Sequence, residues 1–353
     1  MAFGGLGLLA LLAASGPVAA QVVTQTNLVS DGTVAAAFTD PHLVNAWGIS
    51  FAPGGPFWVS DNGTGLTTLY DSTGRPYPGA APLVVTIPPP VGQTGHSSPT
   101  GQVYNPTTGF AVTGFGGTSA SAFLFATEDG TIAGWAPTLS QSTAIIAVDN
   151  SAGGTGAVYK GLALYTGGAK PILLAANFRS GMVEAYDDTF HLLGKFRDAR
   201  LPAQASPFNV AVLNGMIFVA YAVKNAEGHD DVPGAGHGVV EQISGTGKVL
   251  HRVQVRGSLN SPWGMAIAPA SFGVLSGALL VGNFGDGWIN AFNLSTNAYL
   301  GPLTQNGAPL AIGGLWGLQV GNGGLGGSAS KLYFTAGPNG EAGGLFGALT
   351  PAP

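Results

Sequence analysis

Trp47-Gly48-Ile49 opens an apolar stretch of the chain, and Trp263-Gly264-Met265 and Trp316-Gly317-Leu318 repeat the same pattern. Three weaker copies lie between them, and the six copies follow one another at intervals of about 50 to 60 residues, which is typical of repeat architectures. In such architectures each copy is one supersecondary unit that packs on its neighbours. The weaker copies begin at Gly101, Gly161 and Val210.

Each copy continues with two further strand-like elements, an apolar run and then a glycine that precedes a large apolar residue by five positions. Glycine supplies the positive φ that tight turns between strands need. Most copies end in a fourth apolar run, and four short strands in about 40 to 50 residues are typical of a β-propeller blade. The sequence therefore predicts an all-β fold, a six-bladed β-propeller of four-stranded blades. The glycine pairs are Gly65 and Tyr70, Gly130 and Trp135, Gly181 and Tyr186, Gly238 and Ile243, Gly287 and Phe292, and Gly344 and Leu349.

The sixth copy lacks a fourth strand, because its third strand ends near Thr350 and only Pro351-Ala352-Pro353 follow. The apolar stretch 22–29 precedes the first copy and has no other partner. We therefore expect this N-terminal strand to pair beside Leu345 to Leu349, where it closes the ring and covers an edge that would otherwise be open. Residues 21–353 are predicted to form a single domain.

The composition favours a globular exported protein. Hydrophobic residues make up 45% of the chain and charged residues only 8%, with a formal net charge of -5. A chain without a basic stripe is not expected to bind nucleic acid. There is no cysteine, so neither a disulfide framework nor a cysteine nucleophile is available.

Residues 1–20 read as a signal peptide, with an apolar core from Leu6 to Ala14 and small residues before Gln21. A secreted location, extracellular or periplasmic, is expected. The core lacks a preceding Lys or Arg, which leaves a misplaced start or a membrane anchor as alternatives. No stable membrane insertion is expected from the rest of the chain, and the protein is expected to be a monomer.

Several loops resemble a family of uncharacterised secreted bacterial β-propeller proteins, some of which carry a C-terminal PEP-CTERM sorting signal. The matching stretches include Asp40-Pro41-His42-Leu43-Val44-Asn45, Asp61-Asn62-Gly63-Thr64-Gly65 and Gly282-Asn283-Phe284-Gly285-Asp286-Gly287. More remotely, the blades resemble NHL repeats and the propellers of gluconolactonases and virginiamycin lyase. The closer resemblance implies a propeller fold and export, without an established activity.

The polar residues are predicted to lie on one side of the disc, which we call the loop face. This side carries the connections into the first strands and the loops between second and third strands. Short loops on a rigid scaffold suit recognition, so we expect a small-molecule, glycan or protein ligand there. The binding candidates are Asn45, Lys160, Asn177, Arg179, Asn209, His229, Asp230, Asp231, Asn283 and Asp286, and the wider set on this face includes Asn62, Glu128 and Glu341.

Recurrent Asp and Asn residues at the ends of second strands allow two interpretations. Asx side chains bond the backbone two residues on, so they are suited to shaping the turn before the third strand. Alternatively, oxygens from several blades converge on the channel and bind Ca²⁺, which takes six to eight oxygen ligands. The gluconolactonase resemblance adds a little support to the second interpretation. The calcium candidates are Asp61, Asn177, Asn209 and Asn283.

Lys160, His229 and Asp230 are the catalytic candidates. Lys160 precedes an inner strand in a chain with few cations, where it could orient an anionic group, act as a base or form a structural salt bridge. His229 and Asp230 lie in the longest loop between second and third strands, which is either a metal-binding or a solvated loop. The leading hypothesis is a binding protein, and the alternative is a Ca²⁺-dependent hydrolase, lactonase or lyase of the gluconolactonase type.

Overall fold

A computed structural model describes residues 21–253 and 257–352 of the protein. Six antiparallel sheets follow one another along the chain, and the first strand of each sheet, the inner strand, contacts the inner strands of the sheets on both sides. Such a closed circle of sheets is a six-bladed β-propeller, which confirms the predicted fold. The proposed signal peptide, residues 1–20, lies outside the described residues.

The blades follow the order of the six sequence copies. Blade 1 has the strands Ala46–Ser50, Phe57–Asp61, Leu66–Tyr70 and Val84–Thr86. Blade 2 has Pro99–Tyr104, Phe123–Thr127, Thr131–Trp135 and Ile145–Asp149, and blade 3 has Tyr159–Tyr165, Ile172–Asn177, Met182–Tyr186 and Leu192–Phe196. Blade 4 has Ala205–Leu213, Met216–Val223, Gly238–Ile243 and Val249–Val253. Blade 5 has Pro262–Ile267, Leu279–Asn283, Ile289–Phe292 and Tyr299–Pro302, and blade 6 has Leu315–Val320, Leu332–Ala336, Leu345–Pro351 and Val23–Ser30.

Short elements decorate this frame. Phe38–Thr39 adds a parallel edge strand beside Val23–Ser30. Hairpins join Ala111–Gly114 to Gly117–Ala120 and Thr304–Gln305 to Ala308–Pro309, and 3₁₀ turns cover Ala152–Gly154 and Ala270–Leu275. Among residues 21–253 and 257–352, no helix has the length and apolar character needed to cross a bilayer.

The N-terminal strand closes the ring as expected. Val23–Ser30 runs antiparallel to Leu345–Pro351, with Gln25 opposite Leu349 and Ser30 opposite Leu345. Blade 6 then packs on blade 1 through the ring of Phe57, whose centre lies 5.1 Å from that of Phe346. The first and last parts of the chain therefore form one blade, and the ring has no open edge at the join.

The recurrent inner-strand glycines allow neighbouring blades to approach closely. A Cβ atom on Gly48 would lie 2.2 Å from the carbonyl oxygen of Thr100 in blade 2. A Cβ atom on Gly264 would lie 2.5 Å from the carbonyl oxygen of Trp316 in blade 6. Contacts this short are impossible for any larger residue, so the repeat marks the places where inner strands touch around the channel.

Candidate functional site

An aromatic plug closes the channel beneath the loop face. We use this name for the buried rings of Trp47, Phe178, Phe208, Trp263 and Trp316, which form one apolar cluster with half-buried Phe284 packed against it. Trp47 and Trp316 are stacked with ring centres 3.6 Å apart, and Phe284 stacks on Trp316 at 4.1 Å. The three recurrent tryptophans therefore pack on one another.

The plug lies on the channel axis, because it joins blades that are not neighbours in the ring. Trp47 of blade 1 meets Trp263 of blade 5 edge to face, at 6.3 Å between ring centres. Phe208 of blade 4 meets Trp316 of blade 6 at 5.8 Å. Contacts that skip a blade are possible only near the axis, so the plug separates the loop face from the rest of the channel.

Lys160 lies directly against the plug. Its side chain is 3% exposed, and its ammonium nitrogen lies 5.1 Å from the ring centre of Trp47 and 5.9 Å from that of Phe178. It forms an ion pair with Glu128 of blade 2, and Asp230 of blade 4 lies 3.7 Å away. A salt bridge to a neighbouring blade, one of the alternatives for Lys160, is therefore present.

Hydrogen bonds extend this ion pair into an arc around the channel mouth. Glu128 accepts a hydrogen bond from Asn62 at 2.8 Å, and Asn62 accepts one from Asn45 at 3.1 Å. Asn45 donates to Glu341 at 2.8 Å, and its own oxygen accepts from the Trp316 indole. The arc connects blades 6, 1, 2, 3 and 4 and is anchored to the plug at Trp47 and Trp316.

His229 and Asp230 form the exposed end of the arc. The imidazole Nδ1 of His229 lies 2.8 Å from the Asp230 carboxylate, and the two side chains are 40% and 64% exposed. This contact raises the pKa of His229 and lowers the pKa of Asp230. The pair is thus an imidazole oriented by a carboxylate at the solvent boundary. We call Glu128, Lys160, His229, Asp230 and Glu341 the mouth cluster.

Two partly buried carboxyls of this region have raised pKa values. Burial is the main cause for both Glu341 and Asp231, and the negative charge of Asp231 also raises the pKa of Glu341. Glu341 has a left-handed backbone with φ of 70°, and its partner Asn45 has φ of 49°. Such conformations are uncommon for residues other than glycine and are held in place by their surroundings, a feature frequent at functional sites.

Three mouth-cluster residues have the chemistry of metal ligands. One ligand atom from each of Glu128, His229 and Asp230 lies within 4.8 Å of the other two. The ammonium of Lys160 contacts both carboxylates, however, so a positive charge from the protein already balances them. Carboxylate and imidazole together suit a transition metal better than Ca²⁺, which prefers oxygen ligands throughout.

The other binding candidates lie outside the arc. Arg179 donates to the carbonyls of Gly154 and Gly156 and holds that loop in place. Asn283 donates to Asp286 at 3.1 Å in blade 5. Asn209 lies below the loop face, in the channel wall, where it donates to the Trp263 carbonyl at 2.8 Å.

The four calcium candidates belong to four different blades. The Asn177 oxygen accepts from Val158 and Ser180 backbone groups, which is the turn-shaping role, and the Asn209 oxygen accepts from Val210. The Asn283 oxygen and both Asp61 oxygens are buried without a hydrogen-bond donor within residues 21–253 and 257–352. Calcium binding by the four residues together stays a prediction.

Below the plug, the channel continues as a cavity of about 220 Å³. Inner strands of all six blades form its wall. Leu162, Val210 and Met265 supply apolar surface, and Gln102 and Gln319 supply polar groups. The plug separates this cavity from the mouth cluster, so the channel offers two distinct compartments.

Sequence reasoning places Asn62, Glu128 and Glu341 on the loop face but not among the binding candidates. The signal that could have found the two glutamates is the rarity of charge, because an acidic residue in a loop between second and third strands is an exception in a chain with only 8% charged residues. The direct partner of Lys160, Glu128, comes from the preceding blade. Contacts between blades depend on loop geometry, which the repeat pattern does not contain.

Comparison with known proteins identifies relatives along almost the whole chain. No protein-family model matches it. Among solved structures, virginiamycin B lyase from Staphylococcus aureus superposes with a TM-score of 0.53 at 12% identity, covering 93% of this chain and 98% of that one. A streptogramin B lyase superposes with a TM-score of 0.52 at 10% identity, covering 96% and 100%. At such low identity these likenesses show a shared propeller fold.

Two curated proteins of Acanthamoeba polyphaga mimivirus are similar in sequence as well. "Uncharacterized protein R648" is 32% identical over 355 residues, which cover 98% of this chain and 85% of the relative. "Uncharacterized protein L690" is 32% identical over 345 residues, which cover 95% and 87%. The expected bacterial family and secretion stay predictions. The chain belongs to the protein family that contains these two mimivirus proteins.

Proposed function

We propose that this propeller is a binding protein that recognises, at the mouth cluster, a ligand presenting a cationic group. The observation that carries the proposal is the convergence of charged side chains from blades 2, 3, 4 and 6 over the plug in a chain that is otherwise poor in charge. Sites of this kind, with polar groups grouped on the loops of a rigid scaffold, suit recognition.

The sign of the ligand follows from which groups face the solvent. Within the cluster, Lys160 is buried and already paired, whereas Asp230 is largely exposed. Besides burial, the negative charge of Glu128 raises the pKa of both Asp129 and Glu341, and the charge of Asp231 also raises that of Glu341, so several carboxyls lie close together here. The outward surface is therefore rich in acceptors, and the complementary ligand is an amine or guanidinium group.

Spermidine and a tri-lysine peptide are suitable probes, with a neutral cello-oligosaccharide as the comparison. We expect calorimetric binding of the cationic probes that weakens with added salt. Asp230→Asn should weaken it about tenfold, roughly 1.4 kcal/mol. The matched control is Glu227→Gln, an exposed change in the same loop. Equal affinity in both variants, or binding of the neutral sugar alone, would contradict the proposal.

A second candidate function is acid–base catalysis by a hydrolase, lactonase or lyase. It is supported by the His229–Asp230 contact of 2.8 Å, since a carboxylate that orients an imidazole suits it to act as a general base. Turnover of lactone or ester substrates that disappears in His229→Ala would support it. Equal turnover in the wild type and that variant would exclude His229 as the general base. The same assay with and without chelator would measure calcium dependence.

A further inference from the structure

Blade 1 contains a buried carboxyl that the surrounding protein leaves uncompensated. Asp61 is 0% exposed, and neither of its carboxyl oxygens has a hydrogen-bond donor at ordinary geometry in the described part of the chain. The hydroxyl of Thr68 is buried beside this carboxyl and offers it one weak contact, which lies outside ordinary hydrogen-bond geometry. An ionised carboxylate in this position is costly unless a positive charge accompanies it.

A second carboxylate belongs to the same cluster. Asp40 is buried, and its Oδ2 accepts a hydrogen bond from the Tyr70 hydroxyl at 2.9 Å. The other oxygen lies 3.0 Å from Nδ1 of His42, whose side chain is half exposed. Burial and the nearby charges of Asp61 and Asp40 raise the pKa of Tyr70, so the phenol stays neutral. Two acidic groups, one neutral phenol and one hydroxyl are therefore buried close to one another.

In blades 3 and 4, by contrast, a buried carboxylate is paired with a cation of the same blade. Glu184 and Glu241 lie three positions after the third-strand glycines, and the fourth strand supplies a cation directly opposite each of them. Lys195 lies 2.7 Å from Glu184, and Arg252 lies 2.8 Å from Glu241. In blade 1, Thr68 holds this position and Val84 lies opposite it. The strand that brings a cation to blades 3 and 4 thus brings an apolar side chain to blade 1.

We propose that Asp61, Asp40 and Thr68 bind a divalent cation of the calcium class inside blade 1. Two carboxylates match the charge of one divalent ion, and carboxylate and hydroxyl oxygens are the hard ligands that Ca²⁺ prefers. This site differs from a calcium site shared among blades at the channel, and it does not depend on the proposed binding function.

The test compares two Asp→Asn variants of the full chain. Asp61→Asn should fold, because Asn177 and Asn283 occupy the equivalent strand end in blades 3 and 5. We expect one Ca²⁺ per wild-type chain after gel filtration, and a melting temperature that chelator lowers and CaCl₂ restores. Asp61→Asn should lose the bound metal and the response to chelator. Asp230→Asn, at the mouth cluster, should keep both.

Several results would overturn the site. Calcium retained by Asp61→Asn but lost by Asp230→Asn would move the metal to the mouth cluster. A metal-free wild type, unaffected by CaCl₂, would remove the metal altogether. An infrared carboxylic-acid band at neutral pH that disappears in Asp61→Asn would show a proton in place of the ion. Equal stabilisation by NaCl and by CaCl₂ of the same ionic strength would exclude the divalent class.

Discussion

The ammonium of Lys160 in blade 3 lies 5.1 Å from the ring centre of Trp47 in blade 1, on the far side of blade 2. This contact joins the aromatic plug to the charged arc above it. A cation over an aromatic ring gains about 2 kcal/mol or more when it is desolvated, and here the same cation also pairs with a carboxylate. The same ammonium group therefore contacts both the aromatic plug and the carboxylates of the mouth cluster.

Replacement of Lys160 by Met should therefore destabilise the protein markedly. The change leaves Glu128 partly buried without its cation, and breaking a buried pair from one side typically costs about 3 to 5 kcal/mol. Urea unfolding measures the loss. Lys170→Met, at an exposed position, is the control and should change little. Adding Glu128→Gln to Lys160→Met should recover part of the loss, and a double variant as unstable as the single one would refute the pairing.

Replacement of Gly48 by Ala tests the close approach of the inner strands. Its Cβ atom would lie 2.2 Å from the Thr100 carbonyl oxygen, so blades 1 and 2 must separate. Overpacking of this kind costs about 1 to 3 kcal/mol. Gly194→Ala, in an outer strand with open space around the new Cβ, is the matched control and should be close to neutral. Equal stability of the two variants by urea unfolding would contradict the argument.

The repeat pattern predicted the blades well because its residues are required for packing within each blade and against the next blade. Gly48 and Gly264 mark inner strands for a steric reason, and the same reason recurs around the ring. The mouth cluster was only partly predictable. Lys160 stood out as a rare cation. Its partner Glu128 is 32 residues away, and the glutamate is not part of the repeat pattern, so the pairing could not be read from the repeat. Convergence of unlike loops depends on the blade geometry as a whole.

Closure of the ring by the N-terminal strand can be tested within that strand. Val29 is fully buried where Val23–Ser30 pairs with blade 6, whereas Thr26 of the same strand is exposed. Val29→Asp buries an unpaired charge and should cost about 4 kcal/mol or more, with aggregation as the strand detaches. Thr26→Asp should leave the melting temperature and the gel-filtration profile unchanged. Similar behaviour of the two variants would show that the strand does not hold the ring closed.

The His229–Asp230 pair predicts a bell-shaped pH dependence of stability. The raised pKa of His229 means that its contribution is complete below its unfolded value of about 6.5 and disappears as the pH rises through the higher folded value. The lowered pKa of Asp230 means that its contribution is present above about 3.8 and disappears as the pH falls through the lower folded value. Both groups are partly exposed, so the pair should contribute less than about 1 kcal/mol.

Proton NMR titration measures this pair directly. We expect the pKa of His229 to lie above 6.5 in the wild type and to fall towards that value in Asp230→Asn, because the hydrogen bond to the carboxylate is the main cause of the shift. His237 serves as an internal control, since its Nδ1 lies 2.8 Å from the Val232 carbonyl and not from a carboxylate. Urea unfolding should show that Asp230→Asn costs more stability near pH 5 than near pH 9, where His229 is neutral and only the contact with Lys160 is lost. A constant difference across this range would mean that the pair does not titrate as a unit.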